Sequence, residues 1–200
     1  GSVDIAVTGA ITAGANGIEV DNNGTGQTTV NVNAITTTGG RGLSVENGAN
    51  TTGLTINATG TIAATGSTDS GIEARHFGTG NVTINATSVT STGDDGIYAY
   101  SEVNSGDVSI TSTGLVQGAD EGIDVNHFVT GAVTVMAAET IGDTSHAVDI
   151  FAYNAPTIDV TLSGNATGNR DGVRVYQGGT GQVSLTLQEN VAVTGTTQEG

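Results

Sequence analysis

The sequence predicts an all-β fold, a right-handed parallel β-helix (solenoid) in which about eight coils of about 25 residues stack along three parallel sheets. Three observations predict it: a composition that favours strands and tight turns, a tetrapeptide that recurs at a nearly constant interval, and an alternation of apolar and polar residues within each copy. We expect residues 1–200 to form a single segment of this helix and to be a fragment of a longer protein.

The composition is typical of strands and turns. The chain contains 32 Gly, one Pro and no Cys or Trp, and Val, Ile, Thr, Ser, Asn and Asp supply most of the remainder. β-Branched residues favour strands, whereas Gly, Asn and Asp favour turns. The 36% of hydrophobic residues is enough for a core if these residues occupy regular positions.

The repeat is clearest in the tetrapeptide GIYA at residues 96–99. Related tetrapeptides of the pattern G-[IVL]-x-[VAI] begin at residues 17, 42, 71, 122, 147 and 172, so that the seven copies are 25, 29, 25, 26, 25 and 25 residues apart. Only AVDI at residue 147 lacks the leading glycine. A recurrent glycine indicates a positive φ or a close approach of two backbones.

Two further columns complete each coil. The second column reads VDI at 3, TTV at 28, LTI at 54, VTI at 82, VSI at 108, VTV at 133, IDV at 158 and VSL at 183. A weaker third column lies around Ile11, Ile35, Ile62, Val89, Leu115, Ile141, Ala166 and Val191. Each coil is therefore expected to contain three short strands and three turns.

The alternation within a strand indicates that one of its faces is buried. Ile97 and Ala99 point to one side, and Tyr98 and Tyr100 to the other. Coils stacked about 4.8 Å apart would join these apolar faces into a continuous core. A left-handed helix would need a six-residue period, which is not visible, and a β-sandwich would not keep a constant period of about 25 residues.

The charge of the chain limits its partners. Twenty acidic residues and four arginines give a formal net charge of −16, which would repel nucleic acid and anionic membranes. The sequence has neither a long apolar run nor the pattern of a signal peptide at its N-terminus. We expect no nucleic-acid partner.

Segments such as GTGNVTINATSVTSTGDDGIYAYSEVNSGDVSITSTG resemble the passenger domains of bacterial autotransporters, which are secreted right-handed β-helices. The resemblance covers essentially the whole chain and lies in coil length, the G-[IVL]-x-[VAI] strand, the Asn-Val-Thr-Ile strands and the absence of cysteine. It implies a cell-surface or secreted protein of a Gram-negative bacterium, acting as an adhesin or a structural stalk. It also implies that the outer membrane is reached only through a C-terminal barrel, which is absent from these residues.

An enzyme is the alternative function, because polysaccharide lyases and hydrolases also use β-helices. Asp94 and Asp95 superficially match the paired aspartates of such enzymes, but the neighbouring coils have Ser70 and Glu121 at the position of Asp95. Paired acids at a turn are commonly solvated turn residues, and the chain has no Gly-x-Ser-x-Gly elbow. We therefore predict no catalytic residues and no enzymatic activity.

The sequence predicts neither a cofactor nor a metal site. His76 and His127 occupy equivalent positions two coils apart, which is roughly 10 Å and too far for one metal ion. Stacked carboxylates are the remaining candidates: they would either take up Ca²⁺ or keep a long sheet soluble, and we favour solubility.

All seven aromatic residues lie in the tetrapeptide strand or in the turn that follows it, and alternation places several of them outward. The predicted binding residues are Tyr98, Tyr100, Asp124, Asn126, Asp149, Phe151, Tyr176, His76 and His127. Rings beside carboxylates and amides can bind sugars or anchor proteins, but they can also form a purely structural ladder. The expected partner is a host or matrix glycan or protein, or a second copy of the chain.

Overall fold

The structure, a computed structural model, describes residues 1–66, 68–102 and 104–197. It confirms the predicted fold, because parallel strands stack into a right-handed β-solenoid of about eight turns that are about 25 residues apart. Within the described residues there is no helix that is long and apolar enough to span a membrane.

The tetrapeptide column forms the first sheet, in which seven parallel strands, each from a different coil, stack along the axis of the solenoid. Its strands are β2 (Ile18–Asn22), β4 (Leu43–Asn47), β6 (Ile72–His76), β8 (Ile97–Ser101), β11 (Ile123–His127), β14 (Val148–Ala152) and β17 (Val173–Gln177). The register is uniform, so that Ile72, Ile97 and Ile123 are stacked partners. Equivalent positions of the repeat therefore lie directly above one another.

The second and third columns form a continuous surface in the early coils. There a single long strand turns the corner between them, as in β1 (Val3–Ala13), β3 (Thr28–Thr37), β5 (Leu54–Ala64) and β7 (Gly80–Ser91). Later coils divide this strand in two: β9 (Ser105–Ser112) and β10 (Leu115–Gly118), β12 (Val133–Ala137) and β13 (Glu139–Gly142), β15 (Thr157–Leu162) and β16 (Ala166–Gly168), β18 (Gln182–Leu187) and β19 (Val193–Gly195). Hydrogen bonding joins the two columns into one 12-stranded sheet.

The inward side chains of all three columns form one apolar core. Ile56, Ile84, Ile97, Ile123 and Ile150 are among its fully buried members. Full burial of a side chain of this size stabilises the folded chain by about 2 kcal/mol. Because each inward residue packs on its equivalent in the next coil, the core is as long as the stack.

The third column departs from the sequence prediction in three coils. Ile35, Ile62, Val89 and Ala166 face inward as predicted. In the other three coils the register positions are Val116, Thr140 and Val193, so the column lies one residue from the predicted Leu115 and Ile141 and two residues from Val191. Thr140 is fully buried although it is polar, so a prediction based on hydrophobicity alone assigns the inward position to its neighbour Ile141.

The leading glycine of the first sheet is needed for close approach. A Cβ atom added to Gly96 would lie 2.6 Å from the carbonyl oxygen of Gly122 and 2.8 Å from Cγ1 of Val116. Positive φ values occur outside this column, at Gly53 and Gly80. Of the two reasons predicted for the glycine, the structure therefore supports the close approach of backbones.

An amide ladder follows the outer surface of the long strands. Nδ2 of Asn85 donates to Oδ1 of Asn57 over 2.8 Å, and Nδ2 of Asn57 donates to Oδ1 of Asn31 over 2.8 Å. The ladder adds side-chain hydrogen bonds to the backbone bonds that join these coils.

Candidate functional site

The outward face of the first sheet, called here the ladder face, consists of two columns of side chains. One column contains Glu19, Ser44, Glu73, Tyr98, Asp124, Asp149 and Arg174, and the other contains Asp21, Glu46, Arg75, Tyr100, Asn126, Phe151 and Tyr176. The structure therefore brings seven of the nine predicted binding residues onto one face.

Five rings form a continuous aromatic ladder along this face. Its members in order are Phe77, Tyr100, Phe128, Phe151 and Tyr176. Successive ring centroids are 5.6, 5.6, 5.6 and 4.6 Å apart, and the last two rings are nearly parallel, with an interplanar angle of 7°. Tyr98 stacks beside the ladder, 6.5 Å from Tyr100. These spacings are those of favourable aromatic pairs.

The ladder is only partly covered by protein. Tyr176 is 49% exposed and Phe128 37% exposed, while Tyr98, Tyr100 and Phe151 are half-buried. Packing between rings therefore stabilises the face and still leaves aromatic surface in contact with water. The sequence prediction omitted Phe77 and Phe128 from the site because they lie in the turns. Their position directly after His76 and His127 was the signal that both occupy equivalent places.

Tyr98 lies between a cation and an anion. The guanidinium carbon of Arg75 is 5.6 Å from the centroid of the Tyr98 ring, within the range of a cation–π interaction. The same arginine is paired with Glu73. Burial, followed by the negative charge of Asp124, raises the pKa of Tyr98 to about 12. The phenol is consequently a neutral hydrogen-bonding group at physiological pH.

Hydrogen bonds hold the polar members of the ladder face in place. Nδ2 of Asn126 donates to Oδ2 of Asp124 over 2.8 Å, and the hydroxyl of Tyr100 donates to Oε2 of Glu102 over 3.0 Å. Asp149 is 6% exposed and accepts hydrogen bonds on both carboxylate oxygens from Arg174. The face therefore presents a preformed arrangement of rings, carboxylates and an amide.

The two predicted histidines lie inside the solenoid and not on the ladder face. His76 and His127 are both fully buried, and Ser101 lies between them in the column as expected. Nδ1 of His127 contacts the hydroxyl of Ser101 at 2.6 Å, and its Nε2 lies 2.9 Å from the carbonyl oxygen of Gly131. Alternation alone places both histidines on the inward side of their strands, whereas their polarity led us to predict that they face water.

Burial keeps both histidines neutral. Desolvation lowers the pKa of His76 and of His127, and it outweighs the hydrogen bonds that Thr79 and Gly131 make with them. Nε2 of His76 lies 2.9 Å from the carbonyl oxygen of Thr79, just as Nε2 of His127 lies 2.9 Å from that of Gly131, and Nδ1 of His76 lies 3.4 Å from Nδ2 of Asn47. With both ring nitrogens occupied by protein groups, these side chains have a structural role.

Carboxyl groups meet where the ladder face joins the turn before each strand. Asp95 is 5% exposed, and its Oδ1 accepts a hydrogen bond from the backbone N–H of Glu121 over 3.1 Å. Burial, and then the charges of Asp94 and Asp124, raise the pKa of Asp95 to about 9. Burial and the charge of Asp149 likewise raise the pKa of Asp124 to about 7. Asp95 is thus expected to keep its proton in neutral solution and to donate a hydrogen bond to the carboxylate of Glu121.

A second group at this junction was not predicted. Glu121, His146 and Asp149 offer ligand atoms that all lie within 4.8 Å of one another. His146 belongs to the column that precedes the strands, between Glu121 and Asp171, and Asp149 belongs to the ladder face. To predict this contact from the sequence, one would have to compare the residue before the strand in one coil with residues of two different columns in the next coil.

The fold and the face define a class of protein: a parallel β-solenoid with a partly exposed aromatic ladder beside buried carboxyl groups. No protein-family model, curated protein or solved structure matches the chain.

Proposed function

We propose that the chain is a non-enzymatic binding segment of a bacterial cell-surface or secreted protein, in which a rigid solenoid presents the ladder face to a glycan. The single observation that carries the proposal is the aromatic ladder, whose rings run along the axis at 4.6 to 5.6 Å and remain partly open to water. The resemblance of the repeats to autotransporter passenger domains supports the location outside the cell.

A row of rings suits an extended ligand. Aromatic side chains offer large, rigid apolar surfaces, and an immobile side chain loses little entropy when it binds. Phe151 and Tyr176 are stacked 4.6 Å apart and supply such a surface, while Asn126 and Asp124 lie beside the ladder as hydrogen-bonding groups. A sugar polymer matches this combination because it has apolar ring faces and hydroxyl edges.

The charge of the chain narrows the class of glycan. At a formal net charge of −16, an acidic polysaccharide would be repelled over the whole surface. The ladder face itself carries Asp124 and Asp149. We therefore expect neutral or amino-sugar polymers to bind in preference to uronic-acid or sulfated polymers. This expectation also weakens the alternative of an enzyme acting on acidic polysaccharides.

Removing the stacked rings of Phe151 and Tyr176 should weaken glycan binding. The change is the double variant Phe151→Ala/Tyr176→Ala, which deletes the stacked pair at one end of the ladder. We expect binding of immobilised neutral oligosaccharides (chito- and cello-oligosaccharides) to fall by about tenfold or more, as for loss of an aromatic anchor. Glycan-array binding followed by titration calorimetry would measure it.

The matched control is Tyr153→Ala, which removes an aromatic ring that is 52% exposed but lies outside the ladder. Circular dichroism would verify that each variant is folded. If the double variant and the original chain bound the glycan equally well, the ladder would have only a structural role and the segment would act as a stalk. Release of reducing or unsaturated sugars during the assay would instead favour the enzyme alternative.

A further inference from the structure

We propose that Glu121, His146 and Asp149 form a binding site for a divalent transition-metal ion such as Zn²⁺. The site lies at the edge of the ladder face, between β11 and β14, and is separate from the aromatic ladder. It would be an additional property of the chain, because the aromatic ladder that carries the proposed glycan binding contains none of these three residues.

The ligand atoms are close together and shielded from water. One carboxylate oxygen of Glu121, one of Asp149 and a ring nitrogen of His146 lie within 4.8 Å of one another. His146 is 1% exposed, Asp149 is 6% exposed and Glu121 is half-buried. Ligands at about 2.0 Å from a zinc ion must come somewhat closer to one another than this limit, and rotation of the partly exposed Glu121 can supply the movement.

The imidazole of His146 has one nitrogen without a partner. Nε2 is buried and makes no hydrogen bond. Nδ1, in contrast, accepts a hydrogen bond from the backbone N–H of Asp171 over 3.3 Å and lies 3.2 Å from Oδ2 of the same residue. A buried polar atom that lacks a partner costs free energy, so an interior Nε2 without a hydrogen bond indicates a missing ligand.

Asp171 would orient the histidine for a metal ion. Metal binding requires a change of tautomer: Nδ1 gives up the hydrogen bond that it accepts from the backbone N–H of Asp171, takes the proton and donates it in a hydrogen bond to Oδ2 of Asp171, which frees the lone pair of Nε2 for the metal. A carboxylate that holds the far nitrogen of a ligating histidine is the common outer partner in metal sites. Asp171 therefore acts as a positioning residue, not as a ligand.

The donor set selects the class of ion. One imidazole and two carboxylates suit Zn²⁺ and related first-row ions, whereas Ca²⁺ and Mg²⁺ prefer oxygen atoms alone. Arg174 contacts both oxygens of Asp149, but each carboxylate oxygen retains a second lone pair that can face the metal.

The test is metal titration of the whole chain, prepared without a polyhistidine tag. Calorimetry with ZnCl₂ at pH 7.5 should show saturable binding of one ion per chain. The variants Glu121→Gln and His146→Asn should each weaken the association constant by at least about tenfold. His146→Asn should fold, because Asn16 at the equivalent position accepts the corresponding hydrogen bond, from the backbone N–H of Arg41 over 3.0 Å.

A second measurement identifies the ligand nitrogen. Co²⁺ bound to the original chain should give visible absorption bands that His146→Asn removes or shifts. Asp159→Asn is the matched control, because it removes one exposed negative charge from another sheet, as Glu121→Gln removes one at the site. The control variant should bind Zn²⁺ as the original chain does.

Three results would overturn the proposal. They are the absence of saturable Zn²⁺ binding, Zn²⁺ binding that His146→Asn leaves unchanged, and Ca²⁺ binding as strong as that of Zn²⁺, which would identify only an acidic surface. Loss of Zn²⁺ binding in both site variants, with glycan binding unaffected, would support the metal site and keep it distinct from the proposed function.

Discussion

Individual polar residues at inward or covered positions give this solenoid its chemistry. Asp95 is buried and bonded to the backbone of the next coil, and His76 and His127 occupy interior places that three other coils fill with the small polar residues Asn22, Asn47 and Ser101. Burial disfavours the charged form of each of these three side chains.

Replacing Asp95 by Asn should stabilise the chain in a way that depends on pH. Because the folded chain binds the Asp95 proton more tightly than the unfolded chain does, the free energy of unfolding falls as pH rises from about 4 to about 9. Asn mimics the protonated side chain, since its amide can donate to Glu121 and its oxygen can accept from the backbone. We expect a gain on the order of a few kcal/mol at pH 8 and little change near pH 4.

Urea unfolding at pH 4, 6 and 8 in the presence of EDTA would measure this dependence. Asp159→Asn serves again as the control, because the residue is exposed and its removal changes the net charge equally. An Asp95→Asn variant that is less stable than the original chain at every pH would show that the carboxylate form of Asp95 is the stabilising one.

At the scale of single strands, stacking distance determines which side chains are tolerated. The seven tetrapeptides become strands in uniform register, and the glycine in front of five of these strands lies against the backbone of the next coil. Five of the seven aromatic residues form the ladder: parallel register places Phe151 beside Tyr176, whereas the turn residues Phe77 and Phe128 contact strand rings of a neighbouring coil diagonally.

Gly96→Ala should destabilise the solenoid. The new methyl group would meet the carbonyl oxygen of Gly122 at 2.6 Å, and the resulting shift of backbone would disturb β8 and β11 together. Overpacking of this kind costs about 1 to 3 kcal/mol. Thermal or chemical unfolding would measure the loss.

Gly9→Ala provides the comparison, because a Cβ atom at Gly9 has no neighbour within 4 Å. The Gly9 variant should be unchanged or slightly more stable, since alanine restricts the unfolded chain. If both variants were equally stable, close approach would not be the reason for the glycine column.

The sequence was sufficient to predict the strands, but not all of the residues that face inward or that contact one another between coils. Period and alternation predicted the coils, the first-sheet register and the outward positions of Tyr98, Tyr100, Phe151 and Tyr176. They were insufficient for Thr140, which packs inward despite its hydroxyl, and for His76 and His127, which are polar but buried. The contact of Glu121, His146 and Asp149 depends on side-chain directions across two coils, and periodicity carries no such information.

Over the whole molecule, each coil depends mainly on the two coils beside it. β8 and β11 have a hydrogen-bonded strand on both sides, and their inward residues Ile97 and Ile123 are fully buried. β18 has a paired strand on one side, and its apolar residues Val183, Leu185 and Leu187 are 50%, 48% and 44% exposed. Stability is therefore unequal along the axis.

Hydrogen exchange should reveal this gradient in the 200-residue chain. Amides of β8 and β11 should exchange more slowly than those of β18, because local opening of a coil with one neighbour breaks fewer contacts. Mass spectrometry of peptic fragments would measure both regions in one sample. Equal protection of all strands would indicate that the solenoid opens only as a single cooperative unit.

The amide ladder of Asn31, Asn57 and Asn85 has a direction. Asn57 accepts from the coil that follows it and donates to the coil that precedes it, so its hydrogen bonds repeat with one polarity along the axis. The outer surface of β3, β5 and β7 therefore has a front and a back along the axis. This surface belongs to the 12-stranded sheet and not to the ladder face, and a ligand with two unlike ends that lay along it would bind more strongly in one of its two orientations.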